Sequence, residues 1–205
     1  MELDGWSLFW AHLSTGGDNS GLDDLRIAVA SEVRERFADT ASISKHPPVA
    51  AMRSLFRSAG CDPTRYRPAS EALLRRLVKG AELPRIHPLV DLNNCLSARL
   101  AAPCCVMAEG SIGTSFVFRS GREGESYESL RGPFNLEAKP LLLDEHGPLD
   151  TPITGGVRVK VAPDTKCAWL VAYLPAAEIS QADAWREVES MVGPTSVSAE
   201  SFSPL

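Results

Sequence analysis

No stretch of this 205-residue sequence is apolar over anything near the ~20 residues that cross a bilayer as a helix, so no membrane partner is expected. The opening Met-Glu-Leu-Asp-Gly-Trp has neither the basic start nor the small-residue cleavage site of a secretory signal. Its five cysteines cannot all pair within one chain, and none forms a Cys-x-x-Cys, which argues against a disulfide frame or a zinc knuckle. The expected compartment is therefore the cytoplasm. Also missing are a Gly-rich phosphate loop, a dinucleotide fingerprint and a metal-ligand motif, so no cofactor and no metal are expected. Gly110-Ser111-Ile112-Gly113 lacks the Gly-x-Ser-x-Gly arrangement of a nucleophile elbow. His12, alone in an aromatic strand, reads as a core or edge residue rather than a catalyst. The net charge of −5 excludes an indiscriminate nucleic-acid binder, and DNA is not an expected partner.

What is present suits one globular domain of moderate size, expected over residues 1–193 with a flexible tail at 194–205. Hydrophobic residues make up 44% and charged residues 23%, enough of each for a sizeable core and a solvated surface. The spacing predicts a strand at Trp6 to Leu13 and helices at Leu22 to Phe37, Val49 to Ala59 and Ser70 to Lys79, the last capped by the Ser70 hydroxyl. A helix beginning at Pro88 carries Leu89, Leu92, Leu96 and Leu100 on one stripe and stops before Pro103. Asp91, Asn93 and Asn94 crowd its first half, which marks contact with loops, a ligand or a partner as well as it marks a solvated face.

Beyond Pro103 the pattern changes to strands. Pro103 to Ala108 is short and apolar. Thr114 to Arg119 and Glu125 to Leu130 flank a Ser-Gly-Arg-Glu-Gly segment and read as a hairpin. Leu141 to Leu143, Val157 to Val161 and Cys167 to Leu174 follow, and Ala182 to Val192 closes as a helix. Helices followed by strands indicate an α+β fold. In the predicted strand at 157–161, Arg158 and Lys160 share a face beside Gly155-Gly156, a pairing suited to a phosphate or carboxylate, though an exposed sheet edge would look the same.

Charge is uneven along the chain. Between Arg53 and Arg99 nine basic residues face four acidic ones, so that segment is +5 and the remainder −10. Arg67, Arg75, Arg76 and Lys79 fall here and are candidates for phosphate contacts. The last three also suit the negative end of their helix dipole without any partner.

Ile86-His87-Pro88-Leu89-Val90-Asp91-Leu92-Asn93-Asn94, with Leu100 and Pro103, resembles the editing domain of the phenylalanyl-tRNA synthetase beta subunit, the paired B-three/B-four domain. Arg67-Pro68-x-Ser70-Glu71-Ala72-Leu73-Leu74-Arg75-Arg76 is closer to that domain's free-standing relatives, and the likeness is best over residues 63–175. Ile153-x-Gly155-Gly156, with Thr165 beyond it, keeps the family's diglycine spacing. The resemblance implies a layered β-sandwich of unusual topology flanked by helices. It also implies a pocket where a mischarged amino acid is hydrolysed from tRNA, Gly155 and Gly156 forming the catalytic backbone.

Arg85, Asn93, Cys105 and Thr154 are the substrate-binding candidates. Three polar pocket positions of the family depart from its pattern: Val171 stands where a glutamate reads a tyrosine hydroxyl, Cys105 where a histidine lies, and Pro84 where an arginine lies, with Arg85 next to it. The expected partner is thus tRNA or aminoacyl-tRNA, with hydrolysis of mischarged esters in trans. The alternatives are a non-catalytic protein that binds an amino acid or small metabolite in the same pocket, and an RNA-binding module without pocket chemistry. A Cys105–His87 dyad is a further option for the attacking group.

Overall fold

A computed structural model describes residues 3–202. The chain runs β1 (Trp6–Thr15), α1 (Leu22–Arg36), α2 (Thr40–Ile43), α3 (Pro47–Ser58), α4 (Ala69–Val78) and α5 (Pro88–Leu100). It continues through β2 (Cys104–Ala108), β3 (Phe116–Ser120), β4 (Ser126–Ser129), β5 (Gly132–Asn135), β6 (Pro140–Asp144) and β7 (Gly147–Asp150). A 3-10 turn at Val157–Val159, β8 (Cys167–Pro175), α6 (Gln181–Val192) and β9 (Val197–Phe202) complete it. The α+β class is as expected.

All strand pairing within the sheets is antiparallel. The larger sheet has the order β2-β8-β1-β9, and a second sheet has the order β3-β6-β7. Residue alternation along β1 decides what each face meets. Phe9, Ala11 and Leu13 point into a core filled by α1, α5 and α6, where Leu89, Leu92 and Leu96 have no exposed surface. Trp6 and Trp10 point the other way, into a core shared with Phe118 of β3, Leu142 of β6 and Leu149 of β7. The near-continuous apolar run of β8 follows from its place between β2 and β1, with both faces covered.

α5 starts as its sequence demands. Pro88 sits in the first turn, the His87 ring accepts a hydrogen bond from the Leu89 amide, and the buried Asp91 carboxylate accepts from the amides of Ile86 and His87. Asp91 therefore ties the incoming chain to the helix rather than facing a ligand.

Four local expectations are corrected. β3 and β4 do not form a hairpin: β3 pairs with β6, placing Phe118 opposite Leu142, and β4 pairs with β5. The aromatic face of β3 buries more apolar surface against Leu141 to Leu143 than polar β4 offers. The predicted strand at 157–161 is instead a 3-10 turn that buries Val159 and leaves Val157 47% exposed. The Ser70 hydroxyl does not cap α4 but donates to the Ala101 carbonyl, 3.3 Å away. Finally, Val197–Phe202, expected within a loose tail, is β9, paired along the outer edge of β1.

Candidate functional site

Where α5 begins, between β2 and the segment after β7, the surface opens into a cleft of about 380 Å³. That volume falls in the range typical of small-ligand sites. Asn93 and Asn94 of α5, Cys104 and Cys105 of β2, and Thr154, Gly155 and Gly156 line it. Arg76 of α4, Arg131 and Lys160 also contribute; all three are exposed, and among the described residues none makes an ion pair.

Close approach explains the diglycine. A Cβ on Gly156 would stand 2.4 Å from the Leu149 carbonyl oxygen, where no side chain fits. At Gly155 the nearest neighbours of a Cβ would be the Leu130 side chain at 3.3 Å and Asp150 Oδ1 at 3.6 Å. Gly155 thus keeps open the ground above Asp150. Its carbonyl is engaged by the Leu130 amide at 2.9 Å. The Tyr127 hydroxyl donates to the Thr154 carbonyl and so braces the segment before the glycines.

Asp150, which sequence reading did not single out, is the chemically unusual group here. It is 1% exposed, and its Oδ2 accepts the Tyr173 hydroxyl at 2.6 Å. Oδ1 is buried and, among the described residues, has no hydrogen-bond partner. Burial pushes the carboxyl up to about 7, against the opposing pull of Tyr173, the Cys105 thiol and the Thr151 amide. The thiol and that amide favour the charged form by proximity, yet neither reaches Oδ1 with hydrogen-bond geometry. A chain of rings holds Tyr173 in place, Trp6 lying 5.2 Å from Phe118 and Phe118 5.5 Å from Tyr173. Asn93, 7% exposed, likewise has its Oδ1 without a partner among the described residues.

Of the residues singled out from sequence, Asn93, Cys105, Thr154, Gly155, Gly156 and Arg76 meet at this cleft. Arg85 does not. It lies exposed within 3.6 Å of Asp23 and lines a separate cleft with Arg26, Ile27 and Arg34. Pro84 and Ile86, its neighbours, reach the main cleft. Val171 is fully buried in the core, directly across the β2/β8 pair from Cys105.

Burial and the nearby Asp150 carboxylate push the Cys105 thiol well up, opposite to the shift a nucleophilic thiolate needs. Its hydrogen donates weakly to the Val106 carbonyl at 3.7 Å, and His87 is occupied at its own helix end. The thiol's charged neighbour is thus an anion, Asp150, which disfavours a thiolate, and the geometry offers it no cationic or imidazole partner among the described residues.

Arg67 and Arg75 are also redirected. With Arg53 they surround the fully buried Glu71, Arg67 at 3.5 Å, Arg75 at 3.1 Å and Arg53 at 2.9 Å. Lys79 remains exposed just past α4. Far along the large sheet, His12 Nε2, a Glu109 carboxylate oxygen and Cys167 Sγ lie within 4.8 Å of one another, close enough to share one metal ion. His12 and Glu109 already satisfy each other at 2.9 Å, and His12 packs on Trp169.

A helix-backed antiparallel sheet with a diglycine-walled cleft at the head of α5 defines the class. Residues 51–189 match the B3/4 domain, and the chain belongs to this family, the domain family of the phenylalanyl-tRNA synthetase beta subunit. No curated protein matches the chain. Among the described residues no helix is long and apolar enough to cross a membrane.

Proposed function

We propose that this chain is a tRNA-binding, editing-domain-like protein whose cleft receives the aminoacylated 3′ end of a mischarged tRNA and hydrolyses the ester in trans. The observation that carries this reading is the convergence, in a B3/4-family chain, of Asn93, Thr154, Gly155 and Gly156 on one cleft with exposed cations at its edge. Two sheets sharing one core, with helices outside, support the layered-sandwich form of that family.

Arg76, Arg131 and Lys160 would meet the phosphates of the terminal nucleotides. The ester carbonyl would approach the main chain at the diglycine, where no side chain blocks it, and water would be the attacking group. Water adds to the carbonyl carbon, the ester C–O bond breaks, and the free amino acid and the tRNA hydroxyl leave. Charge on the carbonyl oxygen must be met by donors already in place. With Val171 in the core and Cys105 and Pro84 in the cleft, a substrate other than tyrosine is the better fit.

The test is release of amino acid from a panel of mischarged tRNAs. Gly155→Val should abolish release while leaving tRNA binding within about twofold, and Cys105→Ala should slow it only mildly. Loss of turnover in Cys105→Ala but not in Gly155→Val would establish a thiol mechanism instead. The three replaced polar positions also favour a second reading, a binding protein for an amino acid or small metabolite without turnover. It takes over if wild-type protein releases nothing from any tRNA.

A further inference from the structure

A carboxylate oxygen with no exposed surface and no donor is costly, and a native site that retains one invites a ligand that supplies the donor. Among the described residues Asp150 Oδ1 is such an atom, and Asn93 Oδ1, in the same cleft, is a second buried acceptor without a partner there. The cleft's interior therefore asks for hydrogen-bond donors. Its exposed edge, with Arg76, Arg131 and Lys160, asks for negative charge.

We propose that Asp150 is the anchor for a primary ammonium group of the ligand, so that the cleft selects molecules with a free amine inside and phosphate outside. An ammonium carries three donors and a full charge, and it satisfies Oδ1 with the stronger, charge-assisted kind of hydrogen bond. Tyr173, packed against Phe118, orients the carboxylate by donating to Oδ2, and Oδ1 lies on the Gly155 side of the cleft, unpartnered among the described residues. Gly155 acquires a specific purpose: a Cβ there would stand 3.6 Å from Oδ1 and narrow the approach to it. A neutral or acylated nitrogen offers fewer donors and no charge, and would leave Oδ1 without a charged donor. This inference rests on the proposed editing-domain reading for its choice of amine, the α-amino group of an aminoacyl 3′ end. It goes beyond that reading in assigning the residue and the selectivity.

The experiment measures calorimetric binding of 3′-aminoacylamino-3′-deoxyadenosine 5′-phosphates, which cannot be hydrolysed, over a panel of amino acids. Each is compared with its N-acetyl counterpart, and tRNA binding is measured alongside. Wild-type protein should bind the free-amine form of its preferred analogue at least about tenfold more tightly than the acetylated form. Asp150→Asn should reduce that ratio to about one. Gly155→Ala, which leaves the carboxylate in place, should lower the ratio as well and guards against a folding defect in the first variant. Arg76→Glu should weaken both forms alike and preserve the ratio. Equal affinity for amine and acetyl forms, or a ratio unchanged in Asp150→Asn, overturns the ammonium assignment while tRNA binding leaves the editing-domain reading standing. If neither any analogue nor tRNA binds, both fall.

Discussion

Glu71 has no exposed surface, and the guanidinium groups of Arg53, Arg67 and Arg75 close on it from three directions. Neutralising the carboxylate leaves three cations facing one another across an uncharged group, and losing one partner of a buried ion pair typically costs about 3–5 kcal/mol. Glu71→Gln should therefore lower the melting temperature by several degrees or more, measured by calorimetry. An unchanged melting temperature would mean that the cluster is held apart by solvent. The arrangement is half legible in the sequence, because Glu71 and Arg75 stand at i and i+4 on one face of α4, and Arg67 lies four residues before Glu71, just ahead of the helix. That spacing suits pairing with Glu71, but a run of arginines suits phosphate binding equally well, and only the arrival of Arg53 from α3 decides between them. Asp150 offers no such signal. In Leu-Asp-Thr-Pro it reads as an ordinary turn residue, and only the arrival of Tyr173 from β8 makes it a buried carboxyl with one orphaned oxygen.

At the level of elements, periodicity exposes the helices and hides the sheet edges. The stripe of Leu89, Leu92, Leu96 and Leu100 is buried as its spacing requires, at no more than 7% exposure. β9 is opaque because an edge strand pairs through its backbone, and Val-Ser-Ala-Glu-Ser-Phe has the composition of a loose end. Its partner gives no warning either, since β1 is fully paired on one side by β8 and reads the same with or without a second neighbour. Without β9 the outer edge of β1 loses its ladder from Trp10 to Thr15, and the buried Val197 is withdrawn from the helical core. A chain truncated after Thr195 should lose a few kcal/mol and on the order of 5–10 °C in melting temperature. It should also self-associate through the bared edge, which size-exclusion chromatography would register. A truncated chain that stays monomeric and equally stable would show β9 to be dispensable.

For the molecule as a whole, the charges that matter are distributed differently in space and in sequence. Counting along the chain draws attention to residues 53–99, but Arg131 and Lys160 come from outside that segment and join Arg76 only in the fold. Reversing Arg76, Arg131 and Lys160 to glutamate together should weaken tRNA binding at low salt. It should also flatten the plot of log affinity against log salt by about two to three units, at ~0.7–0.9 for each phosphate no longer neutralised. The same reversal at Arg75 should chiefly reduce stability, through Glu71. Salt-dependent binding that the triple variant leaves untouched would place the tRNA on another face. The pairing of β1 with β8 and β9 carries a separate consequence, for the order in which the nascent protein takes shape. Trp6 finds Pro175, and Thr15 finds Val197, only after the long intervening segment has been made. At ~5–20 residues per second the first strand must wait on the order of ten seconds or more, its Trp6 and Trp10 side chains uncovered. The helices between can collapse meanwhile on local contacts, so the large sheet is the last thing assembled, and its earliest-made strand is the one most in need of a chaperone.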